Sequence, residues 1–142
     1  RDIEIAHPLD RRAPAAVLST DPGSVATTGN SERSVQVDGA RIGHVLDPRT
    51  GRPARDFGSS TVASASALDA DALATAAFVL GPASAVFETR GDRVLWILVT
   101  NGTDPSAVHT SNLIGHVRLL QEHADQALPD DDTADGLPRS AN

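Results

Sequence analysis

The 142-residue chain contains no cysteine, no methionine, no tyrosine and no lysine; all twelve of its basic residues are arginine. Its aromatics are one Trp and three Phe. Each absence closes a route. Without Cys there is no disulfide, thiol nucleophile, iron–sulfur cluster or Cys-ligated zinc. Without Lys there is no Schiff-base chemistry and no phosphate lysine of the Walker type. A formal charge of −7 with so few aromatics lacks the basic footprint and stacking platform that nucleic-acid binding needs. No run approaches the ~18 apolar residues of a transmembrane segment. No charged-then-apolar stretch reads as a signal peptide. A Met-less chain that opens Arg1-Asp2-Ile3 is expected to be a processed or split product.

What is present suits one domain, since domains run to ~100–200 residues. The apolar fraction is 39% and rich in Ala, which predicts a modest core. Residues 121–142 hold Glu122, Asp125, Asp130, Asp131, Asp132 and Asp135 against Arg139 alone. With Pro129, Gly136 and Pro138 and no apolar period, residues 129–142 read as a solvated acidic tail, and residues 1–128 as the domain.

Residues 3–5 read as a strand stub, 10–16 as loop, and Val17-Leu18 and Val25–Gly29 as short strands. Asp38-Gly39 predicts a tight hairpin turn, because both central positions need positive φ. The return strand is expected to carry Ile42, His44 and Leu46 on one face and to end at the turn Asp47-Pro48-Arg49-Thr50-Gly51. A β-prone run spans 60–66. A helix is predicted over 69–80, capped by Ser66 or Asp69 and stopped by Gly81-Pro82. Its apolar face is expected to be Leu68, Ala72, Leu73, Ala76, Val79 and Leu80. A second helix fits 82–89. Residues 93–100 are nearly continuously apolar and read as a central strand buried on both faces. Asn101-Gly102 reads as a turn, 108–110 as a strand and 113–127 as helix.

Three segments can carry chemistry, and each has a structural alternative. His44 stands at a strand end before a Pro-pinned turn, where sites tend to sit. Asp47 orients it or merely holds the turn. Arg49, Arg52 and Arg55 offset phosphate charge or are simply solvated. Asp71 and Thr75, at i and i+4, share a helix face. They form a hard-oxygen pair of the kind Mg²⁺ takes. Alternatively, Asp71 complements the helix dipole and Thr75 bonds its own i−4 carbonyl. Thr27-Thr28-Gly29 offers hydroxyls and a bare backbone to a ligand, or is a plain strand end. Arg90-Gly91-Asp92 reads as a turn, His116 and His123 as solvated, and His7 and His109 as isolated.

Taken in order, these pieces resemble one family. They are Ala26-Thr27-Thr28-Gly29, Glu32-Arg33, a hairpin, His44 to Pro53, Ala70-Asp71-Ala72-Leu73-Ala74-Thr75 and Phe78-Val79-Leu80-Gly81. Over about residues 17–110 the chain resembles the C-terminal half of the ApbE family of FAD:protein FMN transferases. The resemblance implies an α/β (α+β) fold of antiparallel sheet with packed helices. It implies a Mg²⁺-dependent reaction that splits FAD, passes FMN to a Thr or Ser hydroxyl of a target flavoprotein of an electron-transport complex, and releases AMP. Some members instead hydrolyse FAD to FMN and AMP. By position, Asp71 and Thr75 match the family's metal ligands and His44 its motif His. Leu46 and Thr28 fall where the family meets FAD. Thr28 replaces the usual Ser, Ser31 the usual aromatic, and Ala74 an acid that some members carry. The family's N-terminal half is not matched, so it is expected as a separate or cleaved chain. A non-catalytic flavin- or partner-binding remnant is the alternative to catalysis. Many relatives act outside the cytoplasmic membrane; the compartment of this chain stays open.

Overall fold

The computed structural model describes residues 1–30, 33–99 and 105–120. The predicted acidic tail, Ser31, Glu32, His123 and the Asn101-Gly102 turn lie outside them. The elements run β1 (Asp2–Ala6), β2 (Pro14–Ser19), β3 (Ser24–Gly29), β4 (Ser34–Val37), β5 (Ala40–Gly43), β6 (Leu46–Asp47), β7 (Arg52–Pro53), β8 (Gly58–Ser64), α1 (Ala67–Leu80), α2 (Val86–Arg90), β9 (Arg93–Leu98), β10 (Ser106–His109) and β11 (Val117–Leu119). Every strand pairing is antiparallel, in keeping with the α+β expectation.

Two sheets and a helical layer stack. The first sheet has the order β1-β2-β11, the second β10-β9-β8-β3. Ile5, Ala15, Ala16 and Leu18 of the first meet Ala63, Leu95 and Ile97 of the second, with Leu113 closing the cluster. On the other face of the second sheet, Val62, Val94 and Trp96 pack against Ala74 and Ala77 of α1 and Phe87 of α2. Strand β9 is therefore covered on both faces, as its continuous apolar run predicts. Phe87 and Trp96 meet edge-on at 5.8 Å. Two buried side chains tie the sheet to α1 through helix carbonyls: Ser60 Oγ donates to Ala74 O (2.7 Å) and Trp96 Nε1 to Ala77 O (3.1 Å).

Helix α1 is capped as expected, with Ser66 Oγ accepting from Asp69 N–H and Gly81 ending it at φ 75°. Its buried face differs from the expected one. Ala70, Ala74, Ala77 and Phe78 face inward, while Leu68 is 77% exposed. The helix is apolar nearly all round, so its sequence carries no stripe to read. Alanines face the sheet because small side chains let the two layers approach closely.

Other expectations are corrected. Pro14 to Ala16 belong to β2 and not to a loop; Pro is tolerated as the first residue of a strand. The second helix starts at Val86, not at 82. Residues 111–113 form one 3₁₀ turn and 117–119 a strand pairing β2, where a helix was expected over 113–127; residues 121–127 lie outside the described set. The hairpin turn is confirmed, with Asp38 and Gly39 at φ 50° and 79°. The return strand is shorter than expected and ends at Gly43. A Cβ on Gly43 would strike the buried Asn30 side chain. Leu46 falls in a separate two-residue strand opposite Pro53, so Ile42, His44 and Leu46 do not share one strand face.

Candidate functional site

Strand β3 is an edge of the second sheet and β1 an edge of the first. Between them opens a cleft of about 1290 Å³. It is lined by most of β1 and β3, by Asp71 and Thr75 of α1, and by Arg33, His44, Val45, Leu46 and Ser59. All five residues singled out by sequence (Thr28, His44, Leu46, Asp71 and Thr75) thus border one space. A smaller depression of about 400 Å³, by Gly23, Ala65 and Arg93, holds none of them.

The α1 side of the cleft follows from strand alternation. Ala26 points toward the helix and packs in its cluster, so Thr28 does too. Its Oγ1 lies 3.2 Å from Thr75 Oγ1. Thr75 Oγ1 also donates to Asp71 O at 3.4 Å, one turn back. Both bonds are long, so the hydroxyls give up little by turning to another partner. The Asp71 residue is exposed. This brings one carboxylate and two hydroxyls to one place, all hard oxygens. Among the described residues no three His, Asp or Glu side chains converge as a metal cage. Hard oxygens of this kind can supply part of a Mg²⁺ shell whose remainder is water and phosphate oxygen. Ala74 is fully buried against the sheet and does not line the cleft.

The opposite side is built from turns. One step beyond the Ser34–Gly43 pair of β4 and β5, both His44 N–H (3.2 Å) and His44 Nδ1 (3.0 Å) approach Arg33 O. A carbonyl only accepts, so Nδ1 carries the proton. Nε2 is left with a free lone pair, the tautomer of a general base. Asp47 does not orient this ring. It accepts from Arg49 N–H, Nε and Nη2 at 2.8–2.9 Å, which closes the turn. The Arg49 side chain, and then its N–H, hold the Asp47 carboxyl below the ordinary carboxylate value, and Asp47 in turn raises Arg49. Arg49 is thus engaged within its own turn, and neither Arg52 nor Arg55 lines the cleft.

Sequence reasoning missed several cleft residues. His7, expected to be isolated, lines it beside Pro8 and Arg11. Its Nδ1 accepts from Leu9 N–H and Asp10 N–H, so its proton sits on Nε2, the opposite tautomer to His44. Ser59 falls just outside the β run predicted over 60–66. No local signal marks these residues; only pairing of distant strands brings them to the cleft.

Known proteins resemble this chain in both sequence and fold. The chain is 49% identical over 69 residues to the FAD:protein FMN transferase of Treponema pallidum, covering 48% of this chain and 19% of that protein. It is 35% identical over 104 residues to the one of Escherichia coli K12, covering 72% and 30%. Among solved structures it superposes on the ApbE protein of Thermotoga maritima with a TM-score of 0.68 at 30% identity, over 82% of this chain and 38% of that one. For the flavin transferase ApbE of Vibrio cholerae the values are 0.62 and 32%, over 82% and 37%. The chain spans less than two fifths of each of these relatives. The sequence model of the ApbE family matches residues 2–94. That stretch contains every motif facing the cleft, from His7 to Thr75, and the chain belongs to the ApbE family.

Proposed function

We propose that this chain supplies the metal-side and acceptor-side residues of a flavin transferase. It moves FMN from FAD to a Thr or Ser hydroxyl of a target flavoprotein and releases AMP, working with the N-terminal part of the family's fold as a complementary segment. The observation that supports this is the meeting of Asp71, Thr75 and Thr28 with His44 and Leu46 around one cleft. In this reading Asp71 and Thr75 hold Mg²⁺, which offsets the pyrophosphate charge that an acidic chain cannot offset alone. His44 Nε2 takes the proton of the acceptor hydroxyl. The hydroxyl oxygen bonds to the FMN phosphorus as the bond from that phosphorus to the AMP oxygen breaks. The main chain at Leu46 steadies the nucleotide beside them.

The test is transfer of FMN to a Thr-bearing acceptor protein, with the complementary segment, FAD and Mg²⁺ present, read by in-gel flavin fluorescence. Asp71→Ala is expected to abolish transfer, and transfer that persists unchanged would overturn the metal assignment. A second reading, FAD hydrolysis to free FMN and AMP, is favoured by one observation: His44, Asp71 and Thr75 are all open to water. Product in solution and none on the protein would select it.

A further inference from the structure

Two cross-strand pairs on one face of the second sheet differ in a way the proposed site does not explain. Thr61 of β8 stands opposite Thr27 of β3, and their hydroxyls bond at 2.8 Å. One step along the same face, Ser59 stands opposite Gly29. Ser59 is 4% exposed, and its Oγ has no hydrogen-bond partner. The glycine explains why: it carries no side chain to answer the hydroxyl. A Cβ there would lie 3.4 Å from Ser59 Cβ, so Gly29 also leaves that space clear. A buried hydroxyl without a partner is costly and calls for an explanation. Ser59 and Gly29 both line the cleft, and Pro8 sits next to them, within reach of Gly58.

We infer that Ser59 Oγ is a ligand-binding group, hydrogen-bonding a neutral part of the nucleotide (a ring edge or a sugar hydroxyl). It does so from the face of β3 opposite to Thr28. Thr28 and Gly29 are adjacent, so a bound dinucleotide lies across the end of this edge strand. Its phosphates meet the Asp71–Thr75 side and an uncharged portion meets Ser59. This rests on the flavin-nucleotide reading above.

Thermal melts of the 142-residue chain together with the complementary segment and Mg²⁺ test it, without ligand and with FAD, AMP or FMN. Without ligand, Ser59→Ala is expected to melt no lower than the wild type, because it removes an unanswered hydroxyl. Thr61→Val, which breaks an answered pair, should melt a few degrees lower. With ligand, Ser59→Ala is expected to weaken FAD about fivefold. It should weaken one of AMP and FMN equally and leave the other unchanged, which identifies the half that Ser59 touches. A Ser59→Ala drop matching that of Thr61→Val would place the hydroxyl's partner, such as a buried water, inside the fold and overturn the inference. Unchanged affinity for all three would overturn it while leaving the proposed function intact. A wild-type melt unmoved by any of the three would overturn the flavin reading itself, and this inference with it.

Discussion

The two sides of the cleft are made differently. Thr28, Asp71 and Thr75 stand on β3 and α1, which pack on a sheet whose side chains are buried on both faces. His44 and Leu46 stand on short strands and turns between residues 34 and 53, where β4 is exposed throughout and Val35 is 61% exposed. One side is held by burial, the other by a few main-chain hydrogen bonds and one small apolar cluster. That cluster is Val45, Ala54 and Phe78, with Phe57 stacked on Phe78 at 5.0 Å. Phe78 and the partly buried Val79 belong to α1, so this cluster joins the two sides. The oxygens proposed as metal ligands, which must hold one geometry, sit on the rigid elements. The proposed base, His44, sits where a small adjustment costs little.

The largest effect is therefore expected at the joint. Phe78→Ala should cost about 3–5 kcal/mol in urea denaturation. It should also loosen His44 more than Thr28, which hydrogen exchange at the two amides would show. Equal loosening on both sides would break the comparison.

Next comes the packed side itself. Asp71→Asn is expected to lower the proposed transfer about a hundredfold. Because Asp71 is exposed, unfolding free energy should move by no more than about 0.5 kcal/mol. A large stability loss would make Asp71 a structural residue.

Gly43→Ala tests the hinge between β5 and His44. Its Cβ meets Asn30, and overpacking of this kind costs about 1–3 kcal/mol. His44 should lose its hold on Arg33 O, visible as a shifted imidazole ring signal in NMR.

The smallest effect is at the turn. The Asp47 carboxyl is held low by Arg49, so its contribution is present above the ordinary carboxylate range and is lost as pH falls through the lowered value. Arg49 is exposed and Asp47 only partly buried, so stability should barely respond. An NMR titration should place Asp47 below a free carboxylate, and Arg49→Ala should return it.

The same contrast sets what was legible beforehand. Elements with local punctuation were readable: the Asp38-Gly39 turn, the Ser66 cap and the Gly81 stop of α1, and the apolar run of β9. The Asp71–Thr75 spacing was readable because helix periodicity is local. The inward face of α1 was not, since alanine and leucine alternate around it without a stripe. Nor was β11, because three residues pairing with β2 across a hundred positions carry no local mark.

The sequence by itself determined the helix and its caps, the hairpin turn and the order of motifs. Each of these depends on residues within a few positions of one another, through φ preference, capping or periodicity. Tertiary structure alone decided that Thr28 meets Thr75, that His44 is fixed by Arg33 O, that Asp47 serves Arg49 and not His44, and that Ser59 faces a glycine. These outcomes follow from which distant strands pair and in what register. Burial of the whole core sets that register, and no short stretch of the chain encodes it.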